Sequence, residues 1–157
     1  QPRRVLEIGT FTGYSALCLA KGLTDDGQLH TIDIRDEDVQ LAKSYFSRSQ
    51  YAAKIISHTG NAAEIIPQLD ETWDLVFIDA DKRNYALYFD LVIDKVKKSG
   101  LIITDNVLWS GKVLMPEKEM DADTKAIHDF NKKVNDDKRV ANLLLPVRDG
   151  LMLMMRN

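Results

Sequence analysis

Little in this chain belongs to the chemistries that reveal themselves by residue type. Cys18 is its one cysteine, so no internal disulfide can form, which fits a reducing compartment. On the apolar side of the first predicted helix, Cys18 is expected as a small core residue and not as a reactive thiol. No apolar run approaches the roughly 20 residues of a membrane span, and the start lacks a basic region followed by an apolar one. The expectation is a soluble, cytoplasmic protein without a membrane partner. Neither sign of charge dominates: 21 basic against 24 acidic side chains leave a net charge of −3. With no basic run interleaved with aromatics, a nucleic-acid partner has no support. Gly9 and Gly13 fall as Gly-x-x-x-Gly, so both the Gly-x-Gly-x-x-Gly dinucleotide spacing and the Gly-Lys-Ser/Thr ending of a P-loop are missing. His30, His58 and His128 show no metal-ligand spacing and are read as structural. Gly13-Tyr14-Ser15-Ala16 does not reach the second glycine of a nucleophile elbow, which argues against a hydrolase serine.

What is present centres on Val5-Leu6-Glu7-Ile8-Gly9-Thr10-Phe11-Thr12-Gly13-Tyr14-Ser15. Val5, Leu6 and Ile8 suit a strand covered on both faces, and the run meets glycine too soon to be a helix. Gly9 allows a backbone angle or a close approach that a Cβ would hinder. Thr12 or Gly13 caps the next helix, whose apolar positions are read as Tyr14, Leu17 and Cys18. A strand entering a helix through such a loop leaves free amide N–H groups at the carboxyl edge of a sheet, where open α/β folds hold ligands. The second apolar run, Leu29-His30-Thr31-Ile32, ends on Asp33, and a carboxylate there can accept hydrogen bonds from two ribose hydroxyls. The pattern is that of a nucleoside site.

At 157 residues the chain is expected to be one domain with one sizeable core. It opens on Gln1-Pro2-Arg3-Arg4 without Met, four residues before the first strand, which reads as an upstream segment removed. The helix after the first strand runs to about Leu23, and a second strand covers about Gln28 to Ile34. A helix capped by Asp36 follows, carrying Val39, Leu41, Ala42, Tyr45 and Phe46. The spacing then predicts a third strand from about Lys54 to His58, a short helix around Ala63 to Ile66, and a fourth strand from Trp73 to Asp79. A helix over Tyr85 to Lys98 is expected to bury Leu87, Leu91, Val92 and Val96 and to stop at Gly100. Leu101 to Asp105 is the fifth strand, Val107 to Met120 an irregular segment, and Asp121 to Val134 a late helix. Val140 to Pro146 and Leu151 to Met155 form a hairpin around Arg148-Asp149-Gly150. The predicted class is α/β: a mostly parallel Rossmann-like sheet with helices on both faces and an antiparallel C-terminal hairpin.

Parallel strands bring Glu7, Asp33, Asp79 and Asp105 to one rim. Asp79 stands in Asp79-Ala80-Asp81-Lys82 and Asp105 beside Asn106. Two carboxylates and an amide oxygen are hard ligands, suited to Mg²⁺, Ca²⁺ or Mn²⁺. A cation would also relieve the repulsion between the acids.

These stretches, with Ile-Asp-Ile, Phe-Ile-Asp-Ala-Asp-Lys, Thr-Asp-Asn-Val-Leu-Trp and Leu-Pro-Val-Arg-Asp-Gly, resemble the class I S-adenosylmethionine-dependent O-methyltransferases of the metal-dependent type, which include catechol and caffeoyl-CoA O-methyltransferases. The resemblance implies that Glu7, Gly9, Thr10 and Ser15 line the methionine and ribose part of the cofactor, that Asp33 holds the ribose hydroxyls, and that Ala62 sits by the adenine. Asp81 and Tyr88 would lie near the cofactor. Asp79, Asp105 and Asn106 match the metal ligands, and Lys82 matches the lysine assigned as general base in the catechol enzyme. The implied reaction is methylation of one hydroxyl of a small vicinal dihydroxy aromatic. Family members carry a helical segment before the first strand, and the resemblance implies a homodimer where that segment is present. Trp109 and the loop after it are expected to wall the acceptor site. Two alternatives stay open on the residues alone: a nicotinamide-dependent dehydrogenase, which would share Asp33 but wants the missing glycine pattern, and a cofactor-binding domain without catalysis. An amine methyltransferase would show Asn-Pro-Pro-Tyr where Ile78-Asp79-Ala80-Asp81 stands.

Overall fold

Strand β1 (Arg4–Ile8) divides its side chains between two layers: Val5 packs into a smaller cluster on one side of the sheet, Leu6 and Ile8 into a larger one on the other. The structure is a computed structural model and describes residues 1–157. After β1 come α1 (Tyr14–Lys21), β2 (Gln28–Asp33), α2 (Asp36–Phe46), β3 (Ile55–Thr59), α3 (Ala62–Ile65) and β4 (Trp73–Ile78). The second half adds α4 (Tyr85–Ile93), β5 (Val96–Asp105), α5 (Ala122–Asp136), β6 (Val140–Leu145) and β7 (Leu151–Arg156). The sheet order is β3-β2-β1-β4-β5-β7-β6. Neighbours among the first five strands run parallel, while β7 is antiparallel to both β5 and β6. The expected class therefore holds. From β1 the chain winds outward to β2 and β3, then returns to place β4 on the other flank of β1. Such a reversal opens a crevice at the carboxyl ends of the two central strands.

The larger cluster packs Leu6, Val76, Ile102 and Met154 against Tyr85, Phe89 and Val92 of α4 and Phe130 and Val134 of α5. Phe130 meets Tyr85 edge-on, with ring centroids 5.6 Å apart. Asp121 starts α5 by accepting the Thr124 amide hydrogen bond at 2.8 Å. The smaller cluster seats Ala16 and Ala20 of α1 and Ala42 and Phe46 of α2 on Val5 and Leu29. No helix is long and apolar enough to cross a membrane.

Several local expectations are corrected. The buried face of α1 is Ala16 and Ala20, and Tyr14 and Cys18 are exposed, because small side chains let the helix lie close on the sheet. Leu41, Tyr45 and Leu87 also face outward. Asp36 does not cap α2; Arg35 holds that position, and the Arg35 amide donates to Asp33 Oδ1 at 3.0 Å. Helix α4 ends at Ile93, not Lys98, and Val96 opens a ten-residue β5. Lys95 makes the break: its backbone bonds to Val92 and Trp73, and its ammonium donates to the carbonyls of Ile66 and Leu69. Between Trp73 and Leu75 the register with β5 shifts, and Ser99 takes a φ of 62°. Gly100 thus serves a bulge, not a helix stop. The segment after β5 holds short 3-10 turns at Trp109–Leu114 and Glu117–Glu119.

Two histidines that looked unrelated meet across β2 and β3. His30 Nδ1 and His58 Nε2 are 3.2 Å apart, with their rings stacked. Burial holds both pKa values below the usual range, so the pair is neutral at pH 7.

Candidate active site

The turn after β1 is held by its neighbours on both sides. Gly9 N–H donates to Ile32 O of β2, and Asp79 N–H, just past β4, donates to Ile8 O, each at 2.9 Å. A Cβ on Gly9 would stand 2.0 Å from Asp79 O, and its φ is 104°, so this position requires glycine. Directly beneath, Glu7 pairs in register with Thr31, whose hydroxyl donates to Glu7 Oε2 at 2.5 Å. Thr31 also bonds to the Thr10 hydroxyl. Glu7 is fully buried, and burial pushes its pKa up to about 7, with the Ser15 and Thr31 hydroxyls pulling it back and the Asp79 and Asp33 charges adding to the rise. The Ser15 hydroxyl is near, yet Oε1 has no partner in hydrogen-bond geometry.

Above this layer lies a cavity of about 570 Å³ at the crevice between β1 and β4. Of the residues expected around a cofactor, Gly9, Asp33, Ala62, Asp79, Asp81 and Tyr88 line it. Glu7, Thr10 and Ser15 do not reach its wall. Asp33 is fixed by two backbone amides, Phe11 on Oδ2 at 2.8 Å and Arg35 on Oδ1 at 3.0 Å. The Tyr88 hydroxyl donates to Asp81 Oδ1 at 2.6 Å, and burial, with this bond, raises the phenol's pKa. Three carboxylates against the single guanidinium of Arg35 make the wall acidic, which suits a cationic ligand. Phe11, Ile34, Asn61 and Asn84 also line the cavity and were missed. Asn61 also caps α3, where its side chain accepts from the Ala63 amide.

At the neighbouring edge the side chain of Lys82 is a hub. It is 12% exposed and not a solvated lysine, and its ammonium donates to Asp79 Oδ1 and Asn106 Oδ1, each at 2.9 Å, and to the Tyr85 hydroxyl at 2.5 Å. All three of its N–H donors are used. Tyr85, also missed, donates in turn to Asp105 O at 3.1 Å. Burial first, then the charges of Asp79, Asp105 and Asp81, drive the Tyr85 pKa far upward, so it stays a neutral phenol. Asn106 has a φ of 60°, a left-handed turn that carries its amide oxygen back toward Lys82. Asp105 Oδ1 accepts from Asn106 N–H at 2.6 Å and faces an adjoining hollow that it shares with Asn106, Ser110, Arg148 and Asp149. Of the three expected cation ligands, Asp79 and Asn106 thus converge on one positive nitrogen, and Asp105 stands beside them in a second hollow. No three His, Cys, Asp or Glu side chains converge anywhere. Carboxylate and amide oxygens are the donor type a hard divalent ion takes, and here those of Asp79 and Asn106 accept from the Lys82 ammonium.

A mostly parallel sheet reversing between β1 and β4, with an acidic cavity at that point and an antiparallel closing hairpin, is the arrangement that the resemblance to class I methyltransferases implied. Comparison with known proteins carries this to the family. The O-methyltransferase family model matches residues 1–157. Caffeoyl-CoA O-methyltransferase 5 of Nicotiana tabacum is 37% identical over 165 residues, covering 98% of this chain and 69% of that protein. The O-methyltransferase TomG of Streptomyces achromogenes, solved in complex with SAM, superposes with a TM-score of 0.93 at 31% identity over 100% of this chain and 74% of its own. An O-methyltransferase of Bacillus cereus in complex with SAH superposes at 0.92 with 29% identity, covering 99% and 74%. The chain belongs to the O-methyltransferase family, in its class I, S-adenosylmethionine-dependent branch. The dehydrogenase alternative falls with that membership.

Proposed function

We propose that this O-methyltransferase moves the methyl group of S-adenosylmethionine to one hydroxyl of a small vicinal dihydroxy aromatic, with a divalent cation held by Asp79, Asp105 and Asn106. The observation that carries this reading is the shared position of Asp79 Oδ1 and Asn106 Oδ1 on Lys82 Nζ, at the edge of the acidic cavity. Asp33, already oriented by the Phe11 and Arg35 amides, accepts the ribose hydroxyls. Ala62 abuts the adenine, and Gly9, whose missing Cβ lets Asp79 O close on the turn, presents its backbone to the ligand. Asp81, held by Tyr88 and Asn84, adds negative potential beside the sulfonium. Glu7, Thr10 and Ser15 support the turn from below and fix its shape.

A bound divalent ion such as Mg²⁺ supplies acidification of the chelated hydroxyls and their alignment. As the base, Lys82 first gives up to solvent one of the three protons it shares with Asp79, Asn106 and Tyr85, and the freed lone pair on Nζ then takes the acceptor's hydroxyl proton. Asp79 and Asn106 hold that nitrogen in place, and Tyr85 closes the site from beneath. The phenolate oxygen attacks the methyl carbon in line with the departing sulfur, so positioning supplies much of the acceleration. A screen of catechol-type acceptors with and without chelator tests the reading. Methylation that stops with chelator and returns with Mg²⁺ is the expected result, and turnover indifferent to chelator overturns the metal's part.

A further inference from the structure

The hairpin between β6 and β7 ends on Arg148, and its φ of 52° is left-handed. Side chains rarely adopt that conformation, and glycine would fit it without strain. The tip is not free to drift. Gly150 N–H donates to Val147 O, while Leu108 N–H and Val107 N–H donate to Asp149 O and Gly150 O, which pins the tip onto the chain leaving β5. The backbone of Arg148 is consequently held at the rim of an open hollow of about 500 Å³, which the residue lines with Asp105, Asn106, Ser110 and Asp149.

The other charges in that hollow are already engaged. Asp105 Oδ1 accepts the Asn106 amide at 2.6 Å, and Asp149 Oδ1 accepts the Ser110 amide at 2.5 Å. The Arg148 guanidinium, by contrast, is exposed and makes no hydrogen bond or ion pair with the rest of the chain, although two carboxylates share its hollow. A planar five-donor group with nothing to bind, carried beside two expected cation ligands by a pinned turn with a left-handed backbone, is suited to an oxyanion arriving from outside.

We propose that Arg148 is an acceptor-specificity residue whose guanidinium takes carboxylate or phosphate oxygens on the tail of the aromatic acceptor, while the acceptor's hydroxyls lie at Asp105 and Asn106. This rests on the acceptor reading given above. The test uses three forms of one ring: 3,4-dihydroxycinnamate with its carboxylate, its coenzyme A thioester with its phosphates, and its neutral methyl ester. Each is assayed with S-adenosylmethionine and Mg²⁺ against the wild-type protein, R148A and R148K. On an anionic form R148A raises KM on the order of tenfold with kcat unchanged, R148K restores most of it, and KM for the ester stays constant. The arm that shifts tells carboxylate from phosphate. Equal shifts on the ester, or none on either anion, overturn the proposal. Should the wild type methylate none of the three, the acceptor reading fails, and calorimetry with the same compounds still decides Arg148: about tenfold tighter binding of an anionic form to wild type than to R148A supports it, equal binding overturns it. R148G is expected to melt no lower than wild type, which separates lost recognition from lost folding.

Discussion

Lys82 donates a hydrogen bond to Asn106 Oδ1 at 2.9 Å, tying the loop after β4 to the first residue past β5. The two are 24 positions apart and meet only because β4 and β5 are parallel neighbours whose carboxyl ends coincide. The same ammonium holds Asp79, so one nitrogen fixes two of the three proposed ligands.

Replacing Lys82 should therefore separate proton transfer from cofactor binding. K82M is expected to lower kcat by about 10²–10⁴, the usual share of a positioned base, with affinity for S-adenosylhomocysteine changed less than about threefold. K82R should be equally slow, since a guanidinium keeps its proton. Calorimetry and initial rates on the same preparations check both halves, and an active K82R would remove the base role.

Removal of the cation and removal of Asp105 should look alike. D105A is expected to lose about 100-fold or more in turnover while binding S-adenosylhomocysteine normally, because Asp105 faces the second hollow and not the cofactor cavity. Chelator should silence the wild type and add nothing further to D105A. A D105A protein with weakened cofactor binding would contradict this division of the site.

Asp33 should behave in the opposite way. Its carboxylate lines the cavity and also receives two backbone amides, so D33A loses the ribose contacts and loosens the Phe11 turn. Affinity for S-adenosylhomocysteine is expected to fall about 10–100-fold, in line with lost charge-assisted hydrogen bonds. Titration calorimetry reads this directly, and an unchanged Kd would displace Asp33 from the ribose.

Glu7 sets a pH dependence of stability. Its native pKa, about 7, lies above the ordinary 4.5, so between those values the folded state keeps a proton that the unfolded chain releases. Stability from this group is full below pH 4.5 and is lost as pH rises through 7. E7Q keeps a neutral acceptor for Thr31 and should remove that slope. Urea melts at pH 8 should show E7Q more stable than wild type by on the order of 3 kcal/mol, and melts at pH 4.5 should nearly coincide. Greater stability of the wild type at pH 8 would refute the buried, uncompensated carboxylate.

Much of this fold follows from local pattern. The runs at Val5–Ile8, Leu29–Ile32, Leu75–Ile78 and Leu101–Thr104 are too short and too apolar to be anything but buried strands, and each is followed by glycine or a carboxylate. That is why Asp33, Asp79 and Asp105 could be placed at one rim. Errors arose where one residue type serves two structures. Val96 to Gly100 continues an apolar helix period as well as it opens a strand, and only the Lys95 contacts and the bulge opposite Trp73 decide between them. Cys18 fits an apolar stripe on paper, yet the sheet presses closest to Ala16 and Ala20.

By itself the sequence determined the strands, their order of appearance, the glycine at the first turn and the acids at the strand ends, because backbone propensity and two-residue alternation act over a few neighbours. Tertiary structure alone decided that Lys82 bridges Asp79 and Asn106, that Glu7 lies under the turn instead of on its surface, that His30 meets His58, and that Arg148 stands unpaired next to Asp105. Those relationships depend on which strands become neighbours and in what register, and that is set by how the whole core packs, not by any stretch of chain.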